Sequence, residues 1–109
     1  MSDLVVHLEN SDNFDELVLN SKLPVIVDFY ADWCGPCKKL APILETKAKE
    51  TGKFKVVKIN TDDNEDLSER FNVPGLPYVI LFENGKKTSE FVGFDENALE
   101  KMIASIKNI

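Results

Sequence analysis

Two residues of this chain can carry redox chemistry, and they stand together. Cys34 and Cys37 are the only cysteines among 109 residues, with Gly35 and Pro36 between them. Side chains three apart on a helix share one face, with Cβ atoms roughly 5–6 Å apart. A disulfide needs Cα atoms about 4.4–6.8 Å apart. The two thiols can therefore close into a disulfide or open again with little backbone movement, as a redox cycle requires. Metal binding is the competing reading. A structural zinc site takes four ligands, and the chain offers two thiols and one imidazole, His7. No bound metal is expected. A purely structural disulfide is weaker still, because closing so short a loop removes little chain entropy.

The surrounding sequence says what must hold this pair. Val25-Ile26-Val27-Asp28-Phe29-Tyr30 is β-branched and aromatic, interrupted only by Asp28. Such a run reads as a central strand covered on both faces, the signature of a parallel sheet between helices. From Cys34 to about Lys49 the period turns helical, with Leu40, Ala41, Leu44 and Ala48 on one stripe. Pro42 lies inside that stripe, and a kink is expected there. The cysteines thus fall at a strand-to-helix junction, where sites of open α/β sheets collect. The helix start makes them unequal. Its unpaired N–H groups and partial positive charge favour a thiolate in the first turn, so Cys34 gains most, and Cys37, one turn in, is expected to be the more buried. Pro36 is tolerated because a first-turn N–H has no intrahelical partner. Gly35 leaves the approach to the Cys34 sulfur open.

The other elements follow from pattern. Leu4 to Leu8 reads as a strand, and His7 within it as a half-buried strand residue. Asn13 to Asn20 reads as a helix that begins at the capping run Asn10-Ser11-Asp12-Asn13. Phe54 to Ile59 and Tyr78 to Phe82 read as strands, with a short helix over Asn64 to Phe71 between them. Asn84-Gly85 is a hairpin turn signal, and Thr88 to Val92 its second strand. A helix carrying Leu99, Met102, Ile103 and Ile106 begins near Asp95. The order β-α-β-α-β-α-β-β-α predicts an α/β fold, parallel in its first part and closed by an antiparallel hairpin. Residues 1–109 read as one domain.

Composition excludes other functions. Thirteen basic against nineteen acidic residues give a formal charge of −6, the wrong sign for a nucleic-acid surface. No apolar run reaches the roughly 20 residues of a membrane span. Met1-Ser2-Asp3-Leu4 has no basic start followed by an apolar stretch, so an intracellular, cytoplasmic setting is expected. No Gly-x-Gly-x-x-Gly run is present to bind a dinucleotide.

The segment Val27-Asp28-Phe29-Tyr30-Ala31-Asp32-Trp33-Cys34-Gly35-Pro36-Cys37-Lys38 resembles the thioredoxin family. Pro42, Lys58, Val73 to Pro77, Asn84-Gly85 and Val92-Gly93 fall in that family's order, so the resemblance spans essentially the whole chain. It implies a thioredoxin fold, a mixed five-stranded sheet flanked by four helices. It implies a monomeric protein-disulfide reductant acting on disulfide-containing target proteins, peroxiredoxin-like or reductase-type enzymes among them. It also implies re-reduction by a thioredoxin reductase, with NADPH belonging to that partner and no cofactor bound here.

The resemblance assigns roles residue by residue. Cys34 is the nucleophile and Cys37 the resolving thiol. Asp28, costly in an apolar strand and raised in pKa by burial, is the acid/base group for Cys37; the bland alternative pairs it with Lys58. Lys58 is a possible modulator of Asp28, or else a solvated strand-edge lysine. Trp33, Gly35, Pro36, Leu76, Pro77 and Gly93 form the substrate-binding patch, with a cis bond at Leu76–Pro77. Trp33 serves there as an exposed rim or as a strut for the loop. Tyr30, Pro74, Tyr78 and Phe94 depart from the commonest family pattern. Pro74, Tyr78 and Phe94 bear on the shape of the partner surface. An oxidant or isomerase on the same fold is the rival reading, better suited to a signal peptide and to a His in place of Pro36. A thiol-independent accessory subunit is the third.

Overall fold

The computed structural model describes residues 3–106. Five strands form one sheet: β1 (Val5–His7), β2 (Val25–Tyr30), β3 (Lys55–Asn60), β4 (Tyr78–Glu83) and β5 (Lys86–Val92). Their spatial order is β1-β3-β2-β4-β5. β3 runs parallel to both β1 and β2, whereas β4 is antiparallel to β2 and to β5. The mixed sheet expected from the sequence is present, and β2 is its middle strand. Three α-helices connect or cover the strands: α1 (Gly35–Thr51), α2 (Glu65–Arg70) and α3 (Glu96–Ala104).

The fourth helical element differs in form from the sequence reading. Asn13 to Asn20 is expected to be one ordinary helix. A 3₁₀ turn over Ser11–Asn13 instead leads into a wide π-type turn over Asp15–Leu19. Asn10 caps it, its side chain accepting from the Asp12 N–H at 2.8 Å. At the far end the Asn20 N–H reaches back five residues to the Asp15 carbonyl. The segment buries Phe14 and Val18. α1 continues through Pro42 to Thr51 and ends on Gly52 in the left-handed conformation (φ 66°), a position glycine takes without the Cβ penalty.

Alternation along each strand divides the core into two layers. Val25, Val27 and Phe29 of β2 join Val57, Ile59, Ile80, Phe14 and Val18 on one face. Ile26 joins Val56, Val79, Leu81, Leu40, Leu44, Ala48, Leu99 and Met102 on the other, beneath α1 and α3. Asp28 and Lys58 share the parity of Ile26 and Val56, so both belong to the α1 face, and they are register partners on neighbouring parallel strands. His7, expected half-buried, is exposed, because β1 lies at the edge of the sheet.

The β4–β5 turn is as the sequence predicts. Asn84 and Gly85 both have positive φ, 54° and 79°, the requirement of a two-residue hairpin loop whose twist matches its strands.

Candidate active site

β2 ends at Tyr30, and the chain turns through Ala31-Asp32-Trp33 to Cys34, the residue capping α1. The Cys34 sulfur accepts from the Cys37 N–H at 3.2 Å, and the Lys38 N–H makes the first helical bond to the Cys34 carbonyl. One otherwise orphaned first-turn donor is thereby aimed at sulfur. Such a donor and the helix dipole both favour negative charge there once the bond is reduced. Cys34 and Cys37 are joined as a disulfide, with Cα atoms 5.3 Å apart, inside the range that the spacing predicts. In this state the two cysteines are buried almost equally, with Cys37 marginally the more so. Cys34 is 4% and Cys37 3% exposed, since the closed bond tucks both sulfurs against Ala31, Tyr30 and Leu76.

Asp28 lies on the α1 face of β2, 1% exposed. Its Oδ1 has no hydrogen-bond partner among the described residues. Burial raises its pKa from 3.8 to about 6, against a lowering pull from Lys58 and with a further push from Glu45. A cavity of about 170 Å³ links the site together, lined by Asp28, Tyr30, Ala31, Asp32, Cys37, Lys38, Ala41 and Lys58. Asp28 and Cys37 thus face one space large enough for water.

Lys58 is neither a strand-edge residue nor the direct partner of Asp28. It lies on an interior strand, and its Nζ donates to Glu45 Oε2 on α1 at 3.0 Å. The same ammonium lies 5.0 Å from the centroid of the Tyr30 ring, within cation–π range. The bland alternative of a simple Asp28–Lys58 ion pair is therefore replaced by a Lys58–Glu45 pair beside an unpaired Asp28. Glu45 is a residue that sequence reasoning missed.

The model of the Thioredoxin family matches residues 5–106. The chain belongs to the thioredoxin family. A thioredoxin of Haemophilus influenzae is 43% identical over 90 residues, 82% of this chain and 83% of that protein. A chloroplastic M-type thioredoxin of Pisum sativum is 42% identical over 89 residues, 81% of this chain and 52% of its own. The chain thus spans about half the length of its chloroplastic relatives. Among solved structures, the oxidized mitochondrial thioredoxin 3 of Saccharomyces cerevisiae superposes with a TM-score of 0.85 at 29% identity, covering 94% of this chain and 95% of that one. A structure on the thiol-resolving mechanism of a yeast mitochondrial 1-Cys peroxiredoxin via glutathione/thioredoxin systems contains a chain matching at TM-score 0.85 and 28% identity, covering 94% and 95%.

The thioredoxin patch around the sulfurs takes the following form. Leu76–Pro77 is a cis peptide, and Leu76 packs on the cysteine pair. The Pro77 carbonyl accepts from the Gly93 N–H at 2.8 Å, tying this loop to the end of β5. Neither backbone group of Leu76 is paired among the described residues. Gly93 holds φ 91°, and a Cβ there would meet nothing within 4 Å. Gly35 is likewise open and Pro36 exposed. Trp33 is 71% exposed, and its indole N–H donates to Asp62 at 3.1 Å, bracing it on the loop after β3.

Two exposed apolar residues, Val92 and Phe94, flank Gly93. A Cβ on Gly75 would stand 3.1 Å from Val92 Cγ1, so Val92 borders the loop that carries Leu76. The sequence reading names Val92 beside Gly93 but leaves it out of the patch, although the alternation Glu90-Phe91-Val92 places one of its two apolar residues outward. Tyr78 does not reach the patch through its hydroxyl, which donates to Glu90 at 2.7 Å. Its ring stacks on Phe29 in the opposite core layer.

Among the described residues no helix is long and apolar enough to cross a membrane. No group of three or more His, Cys, Asp or Glu gathers there at a metal-binding spacing.

Proposed function

We propose that the Cys34–Cys37 pair reduces disulfides in other proteins. The observation that carries this reading is one arrangement: a capping cysteine, linked to a second cysteine that shares a cavity with a buried, unpaired carboxylate. In the reduced protein the Cys34 thiolate attacks one sulfur of a target disulfide. A Cys34–target disulfide forms and the other target sulfur leaves as thiolate. Cys37 then gives its proton to Asp28 across the cavity and attacks the Cys34 sulfur. The target leaves as its second thiolate, and Cys34–Cys37 is oxidised by two electrons. Trp33, Gly35, Pro36, Leu76, Pro77, Val92 and Gly93 receive the target, with the free Leu76 backbone available to pair with an extended segment.

The NADPH-dependent thioredoxin reductase implied by the family restores the dithiol. Peroxide-reducing enzymes whose thiols must be resolved are one class of target. The chain matched in the yeast structure on thiol resolution of a mitochondrial 1-Cys peroxiredoxin supports this class. We place the protein in a reducing compartment, the cytoplasm, acting as a monomer.

Cys37→Ser is expected to accumulate covalent complexes with disulfide proteins, and Cys34→Ser to accumulate none, as read by non-reducing gels and mass spectrometry. Equal trapping by both variants would remove the assignment of the nucleophile. A reduction potential well above the roughly −220 to −260 mV of extracted cytosolic glutathione would turn the reading to the oxidant on the same fold.

A further inference from the structure

We propose that Glu45 is a positioning residue for the resolving step: by holding the Lys58 ammonium against α1, it keeps Asp28 without a counterion. This rests on the proposed role of Asp28 as the proton acceptor for Cys37.

Asp28 and Lys58 lie side by side in register on β2 and β3, on the same face of the sheet. A desolvated carboxylate beside an ammonium normally pairs with it. Here the ammonium is bonded to Glu45 Oε2 at 3.0 Å instead, while Asp28 Oδ1 has no hydrogen-bond partner among the described residues. The competition favours Glu45 for a physical reason. Its side chain remains 29% exposed, so that pair keeps one end in water, whereas closing on Asp28 would require a buried pair. The Tyr30 ring beneath the ammonium adds a second hold on the same side.

The charged and titratable groups facing Asp28 are few. β3 brings Lys58, α1 brings Glu45, Cys37 and Lys38, the end of β2 brings Tyr30 and the turn after it Asp32. β4 presents apolar Val79 at the register position opposite. Of the charges, Lys58 draws the Asp28 pKa down and Glu45 pushes it up, both less than burial itself. A carboxylate bound to an ammonium accepts protons poorly. One left alone in a low-dielectric pocket has a proton affinity nearer neutrality, suited to taking a proton and passing it on.

The test follows the Asp28 carboxyl carbon by NMR across pH, in the oxidised protein without substrate. Glu45→Gln keeps the size but replaces the carboxylate with a neutral amide, which holds the Lys58 ammonium more weakly. The midpoint of Asp28 is expected to fall by about one pH unit, as the freed ammonium turns to β2. Lys58→Met is expected to raise it. In the Lys58→Met background, Glu45→Gln is expected to move it by a small fraction of its effect in the parent. The mixed disulfide formed with a target is expected to persist several-fold longer in Glu45→Gln, because Cys37 meets a weaker base. An Asp28 midpoint unchanged or raised by Glu45→Gln overturns the proposal, and so does a full shift in the Lys58→Met background. The NMR midpoint is independent of catalysis. Failure of the parent protein to reduce insulin disulfides would therefore strike the proposed function and leave this result readable.

Discussion

At the scale of single residues, Asp28 has the largest energetic signature. Its pKa is about 6 in the folded chain against 3.8 for an unperturbed carboxyl. The folded state therefore binds the proton more tightly than the unfolded state does. The associated stability is complete below pH 3.8 and is lost as pH rises through about 6. The difference is about two pH units, so ionised Asp28 costs on the order of 3 kcal/mol at neutral pH. Asp28→Asn is expected to stabilise the fold by about 2–3 kcal/mol at pH 7 and by almost nothing at pH 3. Urea unfolding of both proteins at the two pH values checks this; a gain of equal size at both would mean the cost is steric. Asp28 was legible as a site because a charged residue stands in the apolar run Val25–Tyr30, and cysteine spacing marked the other half. Glu45 was not legible. In sequence it is one more polar residue of an amphipathic helix, and its meeting with Lys58 depends on how α1 lies across the sheet.

At the scale of elements, the fold depends on contacts between segments distant in sequence, and the β4–β5 turn makes one of them. A Cβ on Gly85 would stand 3.0 Å from the Leu19 carbonyl oxygen, so the hairpin tip abuts the N-terminal helical segment. Gly85→Ala meets two penalties together: a left-handed φ of 79°, worth about 1–2 kcal/mol, and a backbone atom that a methyl cannot displace cheaply. A loss of at least about 2 kcal/mol is expected in chemical denaturation. A loss below about 0.5 kcal/mol would show that the turn relaxes freely. The hairpin itself was plain in the sequence because Asn-Gly fits a specific backbone geometry. The turn geometry of the N-terminal segment was not. Phe14, Leu17 and Val18 satisfy helical spacing equally well in a 3.6-residue or a wider turn, and the packing of Phe14 against Phe71 and Phe82 involves residues far along the chain. Trp33 shows the same limit. Its exposure follows from its place before the helix, but its bond to Asp62 required knowing that the β3–α2 loop passes beside it.

At the scale of the whole molecule, an acidic chain of net charge −6 carries a small apolar face around its sulfurs. The face is assembled from three separate places: the turn before α1, the loop before β4 and the end of β5. The parts most easily read from sequence were those set by the family's motif. Phe94 was marked by its departure from that motif, whereas Val92 joined this surface only when β5 was placed beside the Gly75–Leu76 loop.

The order β1-β3-β2-β4-β5 has a consequence for how the protein breathes. β2 is bonded on both sides and buried from Val25 to Phe29, so its amides have no local route to solvent. Deuterium is expected to enter them only when the entire chain unfolds, while the three-residue edge strand β1 exchanges by local fraying. Adding a reductant to open Cys34–Cys37 is expected to leave that ranking intact, because the strand beneath the cysteines is held by its neighbours and not by the sulfurs. Amide exchange followed by mass spectrometry in both redox states would show it. Early deuteration of β2 on reduction would mean that each turn of the redox cycle loosens the foundation of its own site.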